Sequence, residues 1–78
     1  KAGQAVVGVT ADRDGGLLTI YDRAGSTVVG AMADKDGGLL GIWNKTGDEV
    51  VQAYADAHGD GRVGAFDRYG KGRALTPR

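Results

Sequence analysis

Asp34-Lys35-Asp36-Gly37-Gly38-Leu39-Leu40-Gly41-Ile42-Trp43-Asn44-Lys45-Thr46-Gly47 carries two Asp/Asn-x-x-Gly signals with a single apolar run between them. The signal recurs at Asp12-Arg13-Asp14-Gly15, Asp22-Arg23-Ala24-Gly25, Asp56-Ala57-His58-Gly59 and Asp67-Arg68-Tyr69-Gly70. Each copy fits a type I turn, with Asp or Asn at the first position and glycine at the fourth, where a positive φ is wanted. The turn-forming glycines are then Gly15, Gly25, Gly37, Gly47, Gly59 and Gly70. A three-residue hairpin connection, the glycine making a bulge beside the turn, is the expected geometry at every site.

Working outward, the chain repeats. Lys1-Ala2-Gly3, Arg23-Ala24-Gly25 and Lys45-Thr46-Gly47 open successive units 22 residues apart, and Arg68-Tyr69-Gly70 opens a truncated fourth. Inside the units Val6-Val7, Val28-Val29 and Val50-Val51 correspond, as do Tyr21, Trp43 and Phe66. The third unit has one extra residue near Asp60, read as a lengthened turn or a bulge, and Arg62 where the others have Leu. One repetitive domain over 1–78 follows, with units at about 1–22, 23–44, 45–67 and 68–78.

Between the turns lie runs of strand length, at 4–11, 16–21, 26–33, 38–43, 48–55 and 61–66, with a weak seventh at 71–75. β-Branched and aromatic residues fill them, and glycine interrupts any helical period. Tight hairpins join neighbouring antiparallel strands, so the expected fold is an all-β antiparallel meander of six or seven strands. A parallel β-solenoid, stacking identical residues in ladders, is the alternative fold.

Three-residue turns would set Ala11 opposite Leu17, Val9 opposite Thr19 and Val7 opposite Tyr21, with Tyr21 facing Thr27 on its other side. Leu17, Tyr21, Leu39 and Trp43 would then share a face with Val7, Val9, Ala11, Ala31 and Ala53. Leu18, Ile20, Met32, Leu40, Ile42 and Tyr54 would occupy the other. Gly8 would oppose Ile20, and Gly30 would lie between Leu18 and Ile42. Both faces would be apolar, and an antiparallel sheet of that kind needs cover on each side. Self-association is the expected source of that cover, with Leu18, Ile20, Tyr21, Leu40, Ile42, Trp43, Tyr54 and Phe66 as packing residues.

Composition narrows the function. The chain has 78 residues and no cysteine, so disulfides and thiolate zinc sites are excluded. Ten basic residues balance ten acidic ones, which points to neither nucleic acid nor an anionic membrane as partner. No apolar run approaches the roughly 20 residues of a membrane span, and membrane insertion is not expected. A start at Lys1 fits a processed or excised fragment.

Site chemistry is sparse. Asp12-Arg13-Asp14-Gly15 and Asp34-Lys35-Asp36-Gly37 have the look of calcium turns, but a third acidic position and a distal Glu are missing and a cation sits inside each. Asp capping its own turn is the simpler reading. His58 has no second His or Cys to complete a metal or catalytic site, and Ser26 has no histidine partner. Lys71, Arg73 and Arg78 make a weak basic tail, better explained as charges guarding a terminus or edge strand. Neither enzyme activity nor a cofactor or metal is expected. The aromatic row Tyr21, Trp43 and Phe66 offers the alternative of a carbohydrate-binding module stacking on sugar rings, with Asp22, Asn44 and Asp67 alongside.

The repeat unit, most distinctively at positions 38–47 and 70–77, resembles the roughly 22-residue glycine-turn repeats of uncharacterised exported bacterial proteins. A looser similarity, resting on Tyr21-Asp22 and the period, is to the Tyr-Asp repeats of bacterial toxin shells, which need far more units. The first resemblance implies a structural stalk, fibre or filament segment at the cell surface or outside the cell, without assigned activity. A homo-oligomer is the expected state: three sheets around an axis, or end-to-end stacking into a fibre.

Overall fold

A computed structural model describes residues 6–77. It contains seven strands: β1 (Val7–Asp12), β2 (Gly15–Tyr21), β3 (Thr27–Asp34), β4 (Gly37–Trp43), β5 (Glu49–Ala55), β6 (Gly61–Phe66) and β7 (Gly72–Leu75). They form one antiparallel sheet in sequence order, each strand beside its predecessor. The meander expected from the hairpin signals is what forms, and the parallel solenoid is excluded. Residues 4 and 5 of the first expected run lie outside the described residues.

The six turn glycines all have positive φ, but they fall into two classes. Gly25, Gly47, Gly59 and Gly70 have φ between 87° and 91°, whereas Gly15 and Gly37 have φ of 134°. The first class closes the expected three-residue turn. At Asp22, for example, the Gly25 N–H donates to the Asp22 carbonyl and the Asp22 N–H to the Ser26 carbonyl. The Asp22 carboxylate accepts from the N–H groups of both Ala24 and Ser26. Asn44, Asp56 and Asp67 accept in the same two places. The inserted Asp60 is absorbed in such a turn: the Asp56 N–H bonds the Asp60 carbonyl, and β5–β6 pairing runs on without a slip.

The second class is shorter. Asp12 pairs directly with Gly15, and Asp34 with Gly37, leaving two-residue loops. The side-chain oxygen then accepts one local N–H, from Asp14 or Asp36. This moves the register by one residue from that of a uniform three-residue turn. Ala11 faces Gly16, Val9 faces Leu18, Val7 faces Ile20 and Gly8 faces Thr19. A one-residue change transfers a strand's side chains to the other face. Tyr21 does face Thr27, as expected, but a bulge between Ile20 and Tyr21 makes Val28 the extra residue and sets Ile20 opposite Val29. The same slip between Ile42 and Trp43 leaves Val50 extra.

Two turn lengths and two bulges together put one small or polar residue from each strand into a single row across the sheet: Gly8, Thr19, Gly30, Gly41, Gln52, Gly64 and Ala74. The sheet is open and one layer thick, extending 47 × 31 × 14 Å. Its radius of gyration is 13.9 Å, against about 11.5 Å for a compact chain of this length. Accessible area is 5804 Å², where a compact fold of this mass exposes roughly 4,450 Å². Among the described residues no hydrophobic side chain is buried. Gly30, Gly41 and Gly64, all from the small-residue row, are the buried positions.

Candidate functional site

Alternation along each strand and pairing between strands divide the side chains into two unlike faces. The first is aliphatic throughout. Its central row runs Val9, Leu18, Ala31, Leu40, Ala53, Val63, Leu75 from β1 to β7. A second row runs Val7, Ile20, Val29, Ile42, Val51, Ala65, Arg73. A third holds only alanine and glycine, with Ala11 paired to Gly16, Ala33 to Gly38 and Ala55 to Gly61. Arg73 on β7 is the single charged residue on this face among the described residues.

Among the described residues nothing covers these rows. Of the exposed large hydrophobic side chains, Val7 (52%), Val9 (75%), Leu40 (37%), Val63 (48%) and Leu75 (74%) all belong to this face. A shallow apolar depression of about 540 Å³ opens near Val9, Leu18, Ala31 and Ala33.

The opposite face carries the small-residue row and is mixed. Thr10, Thr19, Thr27, Glu49, Gln52 and Arg62 share it with Leu17, Leu39, Met32 and the aromatics. The expectation of two apolar faces is therefore corrected to one. Leu18, Ile20, Leu40 and Ile42 join Val7, Val9 and the alanines on the aliphatic face, while Tyr21, Trp43, Tyr54 and Phe66 lie together on the mixed one. The cause is the shorter turn at Asp12 and Asp34, which reverses the facing of the strand that follows.

On the mixed face the rings of Tyr21, Trp43 and Phe66 lie over glycines. A methyl carbon built on Gly30 would stand 3.4 Å from Cζ3 of Trp43, and one on Gly41 would stand 2.9 Å from its Cη2. Phe66 covers Gly64, with ring carbons 2.8 Å from such a methyl, and Tyr21 approaches Gly8 at 3.6 Å. The missing Cβ lets a flat ring settle onto backbone, shielding strand hydrogen bonds and burying one side of the ring. Gln52 donates to Glu49 Oε1 at 2.8 Å beside Trp43.

A polar cleft opens at one end of the sheet. Asp56, His58, Asp60, Arg62, Thr76 and Pro77 line an open cleft of about 350 Å³. Within it Arg62 Nε donates to Asp56 Oδ2 at 3.0 Å. The Asp60 N–H, then the Arg62 guanidinium and the His58 N–H, hold the Asp56 carboxyl below its ordinary range, against a smaller opposing effect of burial. Arg62 is raised in turn, chiefly by its bond to Asp56. These bonds serve the turn. Among the described residues no group of three or more His, Cys, Asp or Glu side chains is placed to hold a metal ion. Ser26 is exposed in the loop after Gly25, its N–H on Asp22. Lys71 donates its N–H to Asp67, Arg73 lies on the last strand, and Arg78 is outside the described residues.

Sequence reasoning missed the sorting of large and small residues by strand on the aliphatic face. β3 and β5 bring Val29, Ala31, Ala33 and Val51, Ala53, Ala55 to it, whereas β2 and β4 bring Gly16, Leu18, Ile20 and Gly38, Leu40, Ile42. The alternation was present in each 22-residue unit but hidden by the register. Comparison with family models, characterised proteins and solved structures gives no match to the chain.

Proposed function

We propose that this chain is a structural β-repeat segment that self-associates through its aliphatic sheet face, as an element of a bacterial extracellular stalk, fibre or filament. The observation that carries the reading is a seven-stranded sheet with an apolar face, no buried hydrophobic side chain and no second layer among the described residues. A single layer of this size gains little from its own burial, and further copies supply the missing cover. Among the described residues β1 and β7 are each paired on one side only, so the sheet can also grow at its edges. The resemblance of the 22-residue unit to exported repeat proteins supports a place outside the cell. The aromatic row needs no sugar to explain it, because each ring already rests on a glycine of its own sheet.

Light scattering coupled to size exclusion, repeated by sedimentation over a hundredfold concentration range, tests the reading. The expected result is a mass of two or more chains that falls on dilution together with β-sheet ellipticity. A folded single-chain particle at the highest concentration would rule out the building-block role.

A further inference from the structure

The geometry points to a defined pair as the elementary contact: two copies stacked aliphatic face to aliphatic face, related by a two-fold axis parallel to the strands and lying between β3 and β4. This inference rests on the self-association reading and adds the face, the symmetry and the register. A stacked partner sheet lies about 10 Å away with its strands within about 30° of parallel, so each strand of one copy covers a particular strand of the other.

Strand sorting selects the axis. With the axis between β3 and β4, β3 lies on the second copy's β4, β2 on its β5 and β1 on its β6. Rotation about an axis along the strands keeps each row at its own height. Ala31 then meets Leu40 of the second copy and Leu18 meets Ala53, so large residues sit over small ones at the centre of the contact, while Val29 meets Ile42 in the next row. An axis through β4 would instead set Leu40 on itself and Val7 on Arg73. An axis between β4 and β5 would place Arg73 over Ile20. The β3–β4 axis alone among these fills the gaps and leaves Arg73, with β7, beyond the overlap.

Charge and area agree with a second copy as the occupant. Among the described residues the face outside β7 has no charged or polar side chain to match a partner of different chemistry, and an isologous contact buries none of them. Six overlapping strands, spaced about 4.8 Å and about six residues long, present on the order of 600 Å² in plan on each copy. The total of about 1,200 Å² reaches the range of specific, stable interfaces. The ~600 Å² covered on each copy is a little under half of the roughly 1,350 Å² by which the isolated sheet exceeds a compact fold of its mass.

Sedimentation equilibrium on four variants tests the pair, with far-UV circular dichroism on each. Leu40→Lys sets a charge in the centre of the contact and is expected to weaken association about 100-fold or more. Leu39→Lys, one residue along on the mixed face, is expected to leave the mass unchanged. Ala31→Leu overfills the gap against Leu40 of the second copy and is expected to cost about tenfold. Exchanging the two, Ala31→Leu with Leu40→Ala, swaps large for small across the axis and should restore association to within about threefold. That double variant decides the matter even if Leu40→Lys fails to fold. A monomeric parent chain would sink this inference and the self-association reading together. An assembled parent of three chains, dissociation by Leu39→Lys but not Leu40→Lys, or no rescue in the double variant would overturn the pair alone.

Discussion

Trp43→Ala should remove more stability than any other aromatic truncation in the sheet. The indole lies partly buried on the mixed face, over Gly30 of β3 and Gly41 of β4. An aromatic side chain buries roughly 200 Å² when fully enclosed. If about two-thirds of that leaves water here, the transfer contribution at ~25 cal/mol per Å² is near 3 kcal/mol. Because its outer side is wet, no closed cavity forms, and the loss should not reach the upper end of core truncations, about 5 kcal/mol. Two strands' worth of backbone hydrogen bonding would become wetted at the same time. Tyr21→Ala is the internal control: among the described residues its ring reaches one glycine, Gly8, and β1 is paired on one side, so about half the loss is expected. Urea unfolding followed by far-UV circular dichroism measures both, at one fixed protein concentration because association contributes to apparent stability. A loss below about 1 kcal/mol for Trp43→Ala, or one no larger than for Tyr21→Ala, would refute ring-on-glycine packing as a stabilising device. A folded, unweakened Trp43→Ala that no longer adheres to a polysaccharide matrix would instead favour sugar stacking.

Two further outcomes follow from the turns. Gly47, at φ 88°, should accept Asn with a loss of only a few tenths of a kcal/mol and Ala with about 1–2 kcal/mol, since Asn tolerates the left-handed region. Gly37, at φ 134°, lies outside the region Asn favours, so Gly37→Asn should be as costly as Gly37→Ala; thermal unfolding of the four variants compares them. In acid, Asp56 should contribute to unfolding. Its folded pKa is depressed, so its stabilisation is complete above the ordinary carboxylate pKa of about 3.9 and disappears as pH falls through the lower folded value. Asp56→Asn, the residue type already present at Asn44, should flatten the pH dependence of stability below about pH 4, measured by denaturant titration at stepped pH.

The fold was legible because turn chemistry is local. An Asp or Asn oxygen accepting from the N–H two residues on, and a glycine at positive φ, need no tertiary information, and they bounded every strand. The faces were misread because Asp12-Arg13-Asp14-Gly15 and Asp22-Arg23-Ala24-Gly25 look alike yet close with loops of different length. A cue was present: turn starts at 12, 22, 34, 44 and 56 alternate between spacings of 10 and 12 residues, which a single turn length does not produce in a meander of even strands. The second glycine, Gly16 or Gly38, marks the shorter kind. The bulges at Val28 and Val50 could not be read locally, for Val28-Val29 carries no glycine or proline to mark a break. They bring the three-residue turns at Asp22 and Asn44 into phase with the small-residue row: Tyr21 and Trp43 pair with Thr27 and Glu49, while Ile20 and Ile42 pair with Val29 and Val51.

The small-residue row also sets how such a ribbon can lengthen. Positions 8, 19, 30, 41 and 52 advance by 11 residues per strand, and large and small strands alternate, so the full period is 22. Duplicating residues 23–44 would therefore widen the molecule by about 9.6 Å while returning every side chain to an equivalent neighbourhood. Gain of a single strand would throw the alternation out of phase along the whole remaining width. Tandem copying of the gene segment in whole units is thus structurally silent, and the molecule's breadth is a quantity that genetic slippage can tune in fixed steps.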